Sequence, residues 1–278
     1  MEHTAAKAIF FHVGMPKTAS TFLQRNVFPK FKGIRFIKKH DFKHHGQIIR
    51  EAKEDRIMLS IELNLDAPGG FNKMRTIAEK YPGTKPVIVL RRQGSWLQSK
   101  YKYYLRKHGT ASFSEYFHPE GKHSVLSAEN LQYFPKIRML EEHYGTRPLV
   151  FFQEELKKAP MEFIDQLAQF TGASYQPQDI KISNVKSSYS PKQLLLVRQF
   201  NRWYGFNDQH TRNKARKFAY KKISAMMLHA VAFTGNFIKA GEKEELIPQH
   251  VIDDVNIAFA SDWQQCLDYA RQDRKLLI

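Results

Sequence analysis

Cysteine is almost absent from the chain. Cys266 stands alone among 278 residues, so no internal disulfide exists and a reducing compartment is expected. Glycine and proline are sparse, at 14 and 12, and scattered, which excludes collagen-like and low-complexity classes. Acidic charge is short: 27 Asp and Glu stand against 44 Lys and Arg, a formal net charge of +17. A surplus of that size marks a surface that attracts polyanions, whether nucleotide, nucleic acid, acidic glycan or anionic lipid. Long apolar runs are missing too. Residues 223–238 lean apolar but contain His229, Thr234, Gly235 and Asn236, and fall short of the roughly 20 residues a membrane span needs. The opening Met1 to Lys7 lacks the apolar stretch of a signal peptide, so a soluble, cytoplasmic protein is expected.

Apolar side chains make up 42% of the chain and aromatics 13%, ample for a buried core, which excludes wholesale disorder. Four short apolar runs read as buried strands: 8–13, 57–61, 86–90 and 148–152. Between them, amphipathic stretches near 19–28, 70–80, 95–107, 127–143 and 159–171 read as helices, the last ending on Gly172 as a C-cap. Short strands separated by helices imply a parallel sheet covered on both faces. From about 190 onward the pattern is helical, with Val251, Val255, Phe259, Trp263 and Cys266 on one face. No repeat or flexible linker divides the chain. The expectation is one three-layer αβα domain over 1–278, with its α/β core at about 8–180 and a helical extension at about 190–278.

The first run leads into Gly14-Met15-Pro16-Lys17-Thr18-Ala19-Ser20-Thr21. A strand, a tight turn, a lysine, a hydroxyl cluster and then a helix are the ingredients of an anion cradle. Lys17 would place a charge on phosphate oxygens, and Thr18, Ser20 and Thr21 would add donors. The segment is not the nucleoside-triphosphate loop, because Lys17 follows Gly14 by three residues and no second glycine precedes it. The strand at 86–90 ends in Arg91-Arg92, where a triphosphatase carries an aspartate supporting magnesium. The ligand's charge is therefore expected to be met by Lys and Arg, with no metal. Ser99 follows Arg91 by eight residues, and an arginine fork with a hydroxyl suits a second phosphate at the carboxyl edge of the sheet.

Together these motifs resemble the sulfotransferases that use 3′-phosphoadenylyl sulfate (PAPS). Their loop Pro-Lys-Thr/Ser-Gly/Ala-Thr/Ser-Thr binds the 5′-phosphosulfate, and their strand-end Arg with a Ser eight residues on binds the 3′-phosphate. Residues 81–91, and Phe151 to Pro160 followed by Phe163 through Gly172, look like further stretches of the family, so the resemblance covers roughly 8–172. It implies a P-loop NTPase-like fold, PAPS as donor and phosphoadenosine phosphate (PAP) as product. The implied donor-binding residues are Gly14, Lys17, Thr18, Ala19, Ser20, Thr21, Arg91 and Ser99. Three departures stand out. Ala19 replaces a common glycine, which suits only a negative φ. Arg92-Gln93 replaces the usual Asp/Asn-Pro, leaving Arg91 and Arg92 as rivals for the phosphate, with spacing on the side of Arg91. The Gly-rich Arg-Lys-Gly segment of the small-molecule enzymes is missing, which points to the carbohydrate-type or bacterial branches.

Lys17 suits the bridging oxygen of the leaving group. For the base that takes the acceptor proton, Glu62 ends the second long apolar strand, in a Ser-x-Glu that members of the family also carry. His12 could contact the loop or orient a ligand. His40, His44 and His45 lie among Lys38, Lys39 and Lys43 and read as a solvated basic loop; no set has zinc spacing. Cys266 falls on an apolar helical face and reads as core. Between Lys181 and Ser224 eleven cations face Asp208 alone, with Tyr189, Trp203, Tyr204 and Tyr220 interleaved. That composition suits a glycan or glycolipid acceptor, or peripheral contact with an anionic membrane. The competing readings are a polyanion- or nucleic-acid-binding protein, motivated by charge alone, and a kinase-like phosphotransferase.

Overall fold

The structure, a computed structural model, describes residues 7–119, 124–182, 189–204 and 245–278, with 223, 226, 227, 230, 231 and 233. Five parallel strands form its sheet: β1 (Ala8–Gly14), β2 (Arg35–Ile37), β3 (Arg56–Glu62), β4 (Lys85–Leu90) and β5 (Leu149–Phe152), in the order β2-β3-β1-β4-β5. Successive side chains of a strand alternate faces, and both faces here are buried. Phe11, Val13, Leu59, Ile61, Ile88 and Leu90 enter one core, while Phe10, Met58, Val87 and Val89 enter the other. This is why the sequence shows continuous apolar runs rather than alternation.

Helices α3 (Pro68–Lys80) and α6 (Phe134–Tyr144) cover the first face through Met74, Ile77, Ile137 and Leu140. The second face is covered by α8 (Pro160–Thr171), through Phe163, Ile164 and Leu167, and by Leu23 and Val27 of the segment after β1. The three-layer α/β fold is the expected one. Helix α8 starts with proline and ends on Gly172 at φ 64, as the sequence indicates.

Several elements differ in detail. The helix expected over 19–28 is α1 (Ser20–Phe22), continued by a wider π turn over Leu23–Val27 and a tight 3₁₀ turn over Phe28–Lys30, because Pro29 removes an N–H and restricts the residue before it. The helix expected over 127–143 is broken ahead of Pro135. Strand β2, α2 (His45–Glu51) and α7 (Gln153–Lys158) are short and escaped the pattern.

Two compact units make up the chain: Met1–Gln93 with Glu129–Asn184 and Phe259–Ile278, and Gly94–Ala128 with Val185–Ala258. Within the first unit the closing helix α11 (Ala260–Arg271) buries Trp263, Cys266 and Tyr269 against the sheet. Asp262 accepts the Tyr133 and Phe134 N–H groups at 2.9 Å, capping α6. Arg274 pairs with the fully buried Glu155, which also accepts the Phe152 N–H at 2.9 Å and the Leu277 N–H at 2.7 Å. The second unit contains α4 from Gly94 onward (Gln93–Leu105 in full), α5 (Phe113–Tyr116), α9 (Pro191–Tyr204) and α10 (Gln249–Ala258). Buried Asn201 of α9 donates to the Leu105 and Gly109 carbonyls at 2.9 and 2.8 Å.

Candidate functional site

The loop after β1 is built around one carbonyl. Met15 O accepts the Thr18 hydroxyl at 2.9 Å and the Ser20 hydroxyl at 3.1 Å. Both residues are buried, and these hydrogen bonds fasten the loop. Thr21 is exposed. Gly14 is required by close approach: a Cβ there would meet Ser20 Oγ at 2.9 Å and the Ile61 carbonyl at 3.2 Å.

Lys17 and Ala19 both have positive φ, 69 and 66. The negative φ that would suit alanine is therefore not what the loop adopts. Left-handed Ala19 followed by right-handed α1 turns successive backbone N–H groups to one side, the concavity that holds anions. Two L-residues held this way store strain of about 1–2 kcal/mol each. Ala19→Gly should release it at Ala19, offset by the extra freedom of the unfolded chain, for a net gain of up to about 1 kcal/mol. Thermal unfolding measures this; a lowered Tm would contradict the strained conformation.

Arg91 lies just past β4, whose Ile88 pairs with Val13 of β1. Its Nη1 donates to the Lys17 carbonyl at 3.4 Å, so the strand-end arginine reaches the loop. Burial lowers its pKa, and the charge of Glu154 opposes that shift. Arg92 is directed elsewhere: its guanidinium lies 5.7 Å from the Trp263 ring centre, and its N–H donates to Glu154 Oε1 at 3.1 Å. Of the two rivals, Arg91 is the one at the loop. Glu154 Oε2, Gln153 Oε1 and the Tyr133 hydroxyl are buried with no hydrogen-bond partner among the described residues. Sequence reasoning assigned none of the three a role, although residues 153 and 154 directly follow β5 at the carboxyl edge of the sheet. Lys157 joins this group, its pKa lowered by burial and then by the charge of Arg91.

Glu62, the last residue of β3, pairs in register with Gly14 and is exposed at the carboxyl edge beside the loop. The Leu63 N–H donates to the Gly14 carbonyl at 2.8 Å, tying this strand end to the start of the loop. Two residues earlier, Ser60 is fully buried between His12 and Gln24. Gln24 Nε2 donates to Ser60 Oγ at 3.0 Å, and Ser60 Oγ shares a second hydrogen bond with His12 Nδ1 at 2.7 Å. His12 is thus a buried member of the sheet that helps fix α1 to it. Desolvation pushes its pKa down to about 3 from 6.5. The unfolded chain takes up this proton near pH 6.5 and the folded one does not, so stability falls with pH by roughly 1.4 kcal/mol per unit below that point. Between pH 7 and pH 5 the wild type should lose about 2 kcal/mol more than His12→Asn in denaturant titrations. Equal slopes would contradict the buried neutral imidazole.

Ser99 is half-buried on α4 in the second unit. His45 differs from the solvated loop expected of its cluster: it opens α2, donates through Nδ1 to the Phe42 carbonyl at 2.6 Å and stacks on the Phe42 ring. Cys266 is fully buried, and burial pushes its thiol pKa up. In the basic stretch, Lys186, Arg212, Lys214, Arg216, Lys217, Tyr220, Lys221 and Lys222 lie outside the described residues. Among the described residues no three His, Cys, Asp or Glu side chains group as metal ligands.

No protein-family model matches the chain, and no curated protein matches it in sequence. Among solved structures it is similar to a sulfotransferase from Alicyclobacillus acidocaldarius, with a TM-score of 0.45 and 17% identity over 81% of this chain and 97% of that one. It is also similar to mouse sulfotransferase SULT7A1 complexed with PAP, with a TM-score of 0.38 and 17% identity over 84% of this chain and 89% of that one.

Proposed function

We propose that the chain is a PAPS-dependent sulfotransferase that moves a sulfuryl group to a hydroxyl of a carbohydrate or glycolipid. The observation that carries this reading is the 3.4 Å contact from Arg91 Nη1 to the Lys17 carbonyl, which joins the two anion motifs at one sheet edge. The loop backbone at Gly14 to Thr21 and the Lys17 ammonium hold the phosphosulfate, and Arg91 holds the 3′-phosphate. Glu62 takes the acceptor proton as the acceptor oxygen bonds to sulfur. The bond from sulfur to the phosphate oxygen breaks, and Lys17 stabilises the charge left on that oxygen, so PAP departs. Lysine and arginine balance the ligand charge in this scheme, with no metal and no nucleic-acid partner. The protein works in the cytoplasm, in peripheral contact with an anionic membrane. The aromatic and cationic stretch from 181 to 224 supports an acidic or lipid-linked saccharide acceptor.

Labelled PAPS offered with a panel of glycans and glycolipids, with and without a chelator, tests the reaction. Chelator-resistant transfer to a saccharide is the expected result. Transfer from ATP with magnesium instead would overturn it in favour of a phosphotransferase.

A further inference from the structure

The second unit carries an apolar surface that the proposed chemistry does not use. Residues 223, 226, 227, 230, 231 and 233 are helical. Ile223, Met226, Ala230 and Phe233, spaced by three, four and three, are exposed, Met226 at 72% and Phe233 at 61%. That spacing sets them on one face of the helix. On the other side Val231 packs against Val197 of α9, which turns the apolar face outward. At the end of α9, Trp203 is 83% exposed, although tryptophan seldom leaves this much ring area in water. From Lys181 to Ser224 the sequence has eleven cations against one acid. No helix among the described residues is long and apolar enough to cross a membrane.

From this we infer that Trp203 and the face formed by Ile223, Met226, Ala230 and Phe233 are a docking surface for an anionic lipid bilayer. This deepens the membrane contact in the proposed function and rests on that reading for the cellular setting. Charge selects the occupant. A second copy of the chain would bring two strongly cationic stretches together, whereas an anionic bilayer neutralises them and receives the apolar side chains at its interface. The aromatic ring at the end of α9 suits the headgroup boundary, where its apolar body and polar N–H are both satisfied.

The three tryptophans make the test direct, because Trp96 and Trp263 are buried at 2% and 4% exposure and only Trp203 faces solvent. Vesicles of equal parts phosphatidylcholine and phosphatidylserine should shift the tryptophan emission to the blue and carry the protein upward in flotation. Pure phosphatidylcholine vesicles should do neither. Trp203→Phe should abolish the emission shift while leaving most of the flotation. Met226→Glu and Phe233→Glu should each lower vesicle partition by about tenfold or more, since each forfeits the burial of a large apolar side chain. Undiminished flotation of both glutamate variants would overturn the surface. So would an absence of flotation by the wild type, or a wild-type dimer that the two substitutions dissociate. PAP titration of the same samples separates the two proposals. Failure to bind PAP would remove the sulfotransferase reading and leave the docking result standing.

Discussion

Lys17→Ala is expected to lower the rate of sulfuryl transfer by roughly a hundred- to a thousand-fold, the range found when one donor to a developing oxyanion is lost. In the proposed mechanism the charge on the bridging oxygen grows as the bond to sulfur breaks, so the ammonium would interact more strongly with the transition state than with bound PAPS. The loss should therefore appear in kcat, with the KM for PAPS much less affected. Alanine is a clean replacement because the residue has φ 69, and alanine meets the same backbone strain there as lysine. Loop geometry is then common to both proteins, and the difference belongs to the side chain. A variant with unchanged kcat and a raised KM would give Lys17 a binding role alone.

Glu62→Gln carries the second large effect, a fall of about 10²–10⁴ in kcat, as expected when a general base is replaced by an isosteric amide. Glu62 is exposed at the end of β3, so the substitution should leave stability within about 0.5 kcal/mol. Affinity for PAP should also hold, because the role proposed for the carboxylate is on the acceptor rather than the nucleotide. Steady-state kinetics beside a PAP titration separates these effects. Wild-type activity in the variant would exclude Glu62 as the base.

How much of this was legible beforehand follows from the range of the interactions involved. Strands β1, β3, β4 and β5 stand out because both of their faces are buried, which leaves continuous apolar runs. Strand β2 has three residues at the sheet edge and no pattern to show. The loop was legible as a lysine and hydroxyls between a strand and a helix. Its conformation was not, since neither Lys17 nor Ala19 advertises a left-handed backbone. Nor does a sequence say that Thr18 and Ser20 spend their protons on one carbonyl. Spacing brought Arg91 forward, but the separation of Arg91 from Arg92 depends on Glu154 and Trp263, 62 and more residues away in the chain. The same holds for α11. Its apolar face was visible, whereas its return to the sheet rests on Asp262 capping a helix whose first residues lie 128 and 129 positions earlier.

The most direct test of the central claim is calorimetric titration with PAP, set beside ADP, adenosine 5′-phosphate and ATP with magnesium. The account predicts micromolar PAP binding without metal, weakened by about 2–5 kcal/mol in Arg91→Ala, where the half-buried charge proposed to hold the phosphate is removed, and little changed in Arg92→Ala. No binding of PAP, or a preference for ATP with magnesium, would contradict it.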